Sequence, residues 1–110
     1  MGYERSIVLK NGEYPRAVRA LTKAFQSFSS QYVVEADSKG FLLICPEDVK
    51  WPHRMQISCE TAETNIYNVP KDTEYLYFLS YLSGNEAYKA TELIKATLCD
   101  LEYEVKIDDL

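Results

Sequence analysis

The chain holds one histidine, His53, so a serine- or cysteine-type nucleophilic centre would have to use it as its base. Cys45 and Ser58 lie near it in sequence, but no nucleophile signature surrounds either, and His53 between Pro52 and Arg54 fits an exposed loop imidazole. A structural zinc site needs four Cys or His ligands at close paired spacing, whereas Cys45, Cys59, Cys99 and His53 are scattered. The three cysteines are therefore expected to be mostly buried, reduced thiols packed as small hydrophobes. Gly2, Gly12, Gly40 and Gly84 stand alone, so no glycine-rich phosphate loop is present. Acid pairs are common: Glu47/Asp48, Glu60/Glu63, Asp72/Glu74, Glu102/Glu104 and Asp108/Asp109. Acid–base catalysis needs two carboxyls in one cleft with separated pKa values, which adjacency in turns and strands does not provide. The expectation is a protein with no catalytic residue, no metal site and no cofactor.

What stands out instead is tyrosine beside negative charge. Nine Tyr occur in 110 residues, and Tyr67, Tyr75, Tyr77, Tyr81 and Tyr88 gather in the later half. Residues 1–54 carry eight basic and six acidic side chains, a balance of +2. Residues 55–110 carry four basic and eleven acidic ones, a balance of −7 within the total of −5. Tyr offers a large contact area with a polar tip and little rotamer freedom to lose, so it suits protein interfaces. Carboxylates beside it steer and pair with a cationic partner. An acidic chain repels phosphate backbones, and the Arg16, Arg19, Lys23 row matches a solvated helix face, so direct nucleic-acid binding is not expected. No apolar run is long enough to span a membrane, and Met1–Arg5 lacks the basic, then apolar, start of a secretory signal, so a cytoplasmic location is expected.

These side chains must be carried by elements that the apolar spacing reveals. Ser6–Leu9 reads as a first strand ended by Asn11-Gly12. Pro15 opens a helix whose stripe is Ala17, Val18, Leu21, Ala24, Phe25 and Phe28. Tyr32–Ala36 and Phe41–Cys45 flank Asp37-Ser38-Lys39-Gly40 as a hairpin, and the unbroken apolar run of its second strand predicts a central strand covered on both faces or nearly so. Residues 46–53 read as a loop. Met55, Ile57 and Cys59 alternate with Arg54, Gln56, Ser58 and Glu60, a strand with one wet face. Ile66–Val69 is a further short strand candidate, and residues 73–82 are open between a strand, favoured by Tyr75, Tyr77, Phe78 and Tyr81, and a short helix framed by Asp72 and Gly84, with the lean to strand. Ser83-Gly84-Asn85-Glu86 fits a capping box before a second helix with Ala87, Ala90, Ile94, Leu98 and Leu101 on one face. Tyr103, Val105 and Ile107 alternate as a closing strand, with Asp109-Leu110 expected to fray.

One domain over residues 1–110 follows, of the α+β class. A single antiparallel or mixed sheet carries two helices on one face, in a split βαβ-like order with an inserted hairpin. The expected function is protein binding: a small acidic inhibitor or immunity-type protein that neutralises a basic protein such as a nuclease toxin. Its partner-binding candidates are Trp51, Glu60, Glu63, Tyr67, Asp72, Glu74, Tyr75 and Tyr77. The alternative is a small regulatory or ligand-binding domain that forms a homodimer through a sheet edge.

Overall fold

A computed structural model describes residues 2–66 and 69–110. Its elements run β1 (Tyr3–Lys10), α1 (Tyr14–Phe25), β2 (Val33–Ala36), β3 (Gly40–Ile44), β4 (His53–Thr61), β5 (Glu74–Ser80), α2 (Gly84–Asp100) and β6 (Glu104–Asp109). The strands form one antiparallel sheet in the order β2-β3-β4-β5-β1-β6. β1 and β2 therefore run parallel with three strands between them, and β5 and β6 run parallel with β1 between them. This is the split βαβ arrangement, widened by the extra hairpin strands.

Period-two alternation sorts each strand onto two faces. Ile7 and Leu9, Phe41 and Leu43, Met55 and Ile57, and Leu76 and Phe78 share one face and are buried. The stripes Ala17, Val18, Leu21, Phe25 and Ala90, Ile94, Leu98 close over them as one core. α1 lies across β2 to β5, while α2 packs on α1 and β6. Each fully buried Leu or Ile here contributes roughly 1.5–3 kcal/mol, so these stripes hold both helices to a single face. Among the described residues the opposite face carries no helix.

Several expectations need correction. β3 is covered on one side only: Leu42 and Ile44 are half-buried on the helix-free face, and Cys45 lies beyond the strand. The cysteines are less enclosed than small hydrophobes, with Cys45 and Cys59 half-buried and Cys99 exposed. Ser83 caps α2 without a side-chain hydrogen bond, and the Glu86 carboxylate, the other half of the expected box, accepts the Tyr32 hydroxyl from 54 residues away. Asp109 belongs to β6 and the Leu110 N–H donates to the Glu4 carbonyl (3.0 Å), so this end is tied down. The proposed strand over 66–69 reduces to a bridge between Ile66 and Val69, with Tyr67 and Asn68 outside the described residues. Residues 74–80 are a strand, and the hairpin turn is held by Asp37, whose Oδ1 accepts from the Lys39 and Gly40 amides (2.7 and 2.9 Å). No helix is long and apolar enough to cross a membrane among the described residues.

Candidate functional site

The helix-free face is where the alternation sends the polar and phenolic side chains. Register places Glu60 opposite Tyr75, Ser58 opposite Tyr77 and Gln56 opposite Leu79 across β4 and β5. β1 adds Glu4 opposite Leu79 and Ser6 opposite Tyr77. A hydrogen-bonded row runs along β4, in which Gln56 Nε2 donates to Ser58 Oγ (3.2 Å) and that hydroxyl donates to Glu60 Oε1 (3.1 Å). The Tyr77 hydroxyl donates to Glu4 Oε1 (2.8 Å). Burial, then this bond and the Glu4 charge, push the Tyr77 phenol up to about 12. Tyr75 is raised by burial and then by Glu60, Glu4 and Glu63, so three carboxylates act on one ring. A phenol held neutral among carboxylates is an amphipathic contact surface with acceptor oxygens at its rim.

The other end of this face has the opposite chemistry. The loop between β3 and β4 is closed by the Cys45 N–H on the Pro52 carbonyl (2.7 Å). Asp48 organises it: Oδ1 accepts the Trp51 amide (3.1 Å) and Oδ2 accepts Arg54 Nη2. The Trp51 side chain is left 75% exposed, and the Tyr81 ring lies against the backbone of Gly2. Between them runs a groove of about 680 Å³, floored by Leu42 and Leu79 and walled by Trp51, Tyr81, Lys50 and Arg54.

The partner-binding candidates do not form a single cluster. Glu60, Tyr75 and Tyr77 share the open face, and Glu63 follows β4 close enough to act on Tyr75. Asp72 is exposed in the turn before β5. Glu74 points to the helix side, where it accepts the Cys59 thiol (3.3 Å). Burial first, and then that bond, push Cys59 up to about 11, which leaves it an unreactive thiol at neutral pH. Trp51 lies at the opposite end of β4, and Tyr67 falls outside the described residues. Tyr88 is exposed on α2, away from the sheet face. Three further members of the surface stand outside those candidates: Glu4, Arg54 and Tyr81. Arg54 and Glu60 are readable as the two ends of one wet strand face and Tyr81 as the continuation of the Tyr75, Tyr77 alternation, but Glu4 joins it only through pairing of β1 with β5.

No three His, Cys, Asp or Glu side chains among the described residues are grouped to hold a metal ion. Comparisons with family models, with curated proteins and with solved structures found no match to this chain.

Proposed function

We propose that the acidic, phenolic end of the open sheet face caps a cationic surface on another protein. On this reading the chain is a small binding protein of the inhibitor or immunity type rather than an enzyme. A basic nuclease toxin is the kind of target that offers such a surface. The supporting observation is that Glu4, Glu60 and Glu63 all act on the Tyr75 ring, with Tyr77 bonded to Glu4 beside it. The acids supply steering and ion pairs, and the rings supply the area that excludes water. Pairing through a sheet edge is disfavoured. β6 carries Glu104, Lys106, Asp108 and Asp109, and β2 is only four residues long, both features that blunt an edge.

The test is capture of proteins from the source cells at low salt on two baits, the native chain and the Glu4→Gln/Glu60→Gln/Glu63→Gln variant. The native bait should retain a basic protein whose activity it suppresses. The variant should associate roughly tenfold more slowly. If the retained proteins are no more basic than average, or if both baits retain them equally, the proposal fails.

A further inference from the structure

We propose that the groove at the Trp51 end of the open face binds a small aromatic monocarboxylate. This goes beyond the protein-binding role and uses different residues. Its volume, about 680 Å³, lies within the usual range for small-molecule sites, roughly 300–1,000 Å³. Its lining includes two aromatic side chains, Trp51 and Tyr81, with the apolar Leu42 and Leu79, a composition that suits an aromatic body.

The charge selects the head group. The Asp, Lys and Arg side chains that line it are Asp48, Lys50 and Arg54, a balance of +1. A carboxylate, with one negative charge, matches that balance. A phosphate monoester carries about −1.5 to −2 at neutral pH and exceeds it. Arg54 is also held in place: its side chain is 29% exposed, and Asp48 fixes it through Nη2. Only one of its five donors is bonded in this way, and its buried Nε has no partner among the described residues. The same Asp48 carboxylate accepts the Trp51 backbone amide, so one side chain holds both the cation and the stretch of chain that carries the indole. Such a fixed arrangement loses little freedom when a ligand enters.

The experiment is a titration of the ¹⁵N-labelled full chain, followed by NMR. The probes are 1-naphthaleneacetate and its neutral amide, with N-acetylphenylalanine imitating the end of a polypeptide. The acid should give saturable shifts of the Trp51 indole N–H and the Arg54 Nε–H, and the amide should bind about tenfold more weakly. Tighter binding of naphthaleneacetate than of N-acetylphenylalanine marks a free small molecule as the ligand, and the reverse marks a chain terminus. Trp51→Ala and Lys50→Ala should each weaken the acid about five- to tenfold and leave the remaining spectrum in place. Equal binding of acid and amide overturns the proposal, as do shifts centred elsewhere or no shift up to about 10 mM. The Glu60→Gln/Glu63→Gln variant, changed only at the far end of the face, should bind the acid as the native chain does, so failure here is distinguishable from failure of the protein-binding role.

Discussion

The two ends of the open sheet face are built on the same strands yet differ in every property that governs recognition. One end joins Glu60, Tyr75 and Tyr77, with Glu4 and Glu63 close by; the other joins Trp51, Arg54, Lys50 and Tyr81 around a groove. Arg54 and Glu60 are six residues apart on β4, about 20 Å at the usual rise of a strand. Salt screens charge over about 8 Å at physiological strength, so Arg54 and Glu60 barely sense one another, while Glu4, opposite Leu79, lies between the two ends. A net charge of −5 therefore describes neither end. The acidic total conceals a local positive balance at the groove.

What the ends share is the sheet between them, and Gly40 is its narrowest point. A Cβ there would stand 1.9 Å from the Ile57 carbonyl oxygen and 2.7 Å from Ser58 Cα, so β3 would have to part from β4. Both neighbours are backbone atoms that cannot rotate away. Gly40→Ala should cost about 3 kcal/mol in urea unfolding and displace amide resonances at both ends together. A response confined to one end would break the picture of two sites on one scaffold.

Asp48→Ala is the sharper cut, because it reaches one end only. It removes the acceptor of both the Trp51 amide and the Arg54 guanidinium and leaves a half-buried cation without its partner. The expected loss is about 2 kcal/mol, with Trp51 fluorescence shifted toward that of a free indole. Capture of a basic protein by the acidic end should be unchanged. If it weakens in step, the ends are coupled.

Much of this architecture was legible from spacing alone, and the failures have particular causes. The helix stripes at Ala17–Phe25 and Ala90–Leu98 were readable because polar residues interrupt them at the helical period. β5 was ambiguous because both of its faces are rich in apolar or aromatic side chains: Leu76 and Phe78 point inward, while Tyr75, Tyr77 and Leu79 point outward. The cover over β3 was overestimated for the same reason, since Leu42 and Ile44 are apolar on a face that no helix reaches. The capping pattern at Ser83–Glu86 was present as a pattern, but Glu86 is claimed by Tyr32, a tertiary partner that no local window contains. Half of the acidic surface could be seen as alternating acids and tyrosines on β4 and β5. Glu4 could not, because it arrives from β1 by strand pairing.

Tyr77→Phe should have a smaller effect on the acidic end. It deletes the hydroxyl that donates to Glu4 and should cost about 0.5–1 kcal/mol, read by thermal or urea unfolding. The groove titration should not change.

The smallest effect reads the two charges separately, through Tyr77 on the open face and through Tyr32, which packs on the helix side against Phe28 and Glu86 yet senses Arg54. Tyr77 and Tyr32 both titrate at about 12, each raised first by burial and next by a carboxylate acceptor, Glu4 for one and Glu86 for the other. The Arg54 charge works the other way on Tyr32, holding it lower than it would otherwise be. Glu4→Gln should move Tyr77 down toward the ordinary value of about 10 and leave Tyr32 in place. Arg54→Gln should raise Tyr32 and leave Tyr77 in place. Ring-labelled tyrosine NMR between pH 9 and 12.5 resolves the two. The stability consequence has a definite sign. The unfolded chain releases these protons near pH 10 and the folded chain keeps them to about 12, so the stabilisation is complete below pH 10 and is lost as pH rises through 12. Glu4→Gln should flatten that alkaline fall by the share due to Tyr77 alone. If either substitution moves both phenols equally, charge is communicated along the whole face, and the two ends form one site.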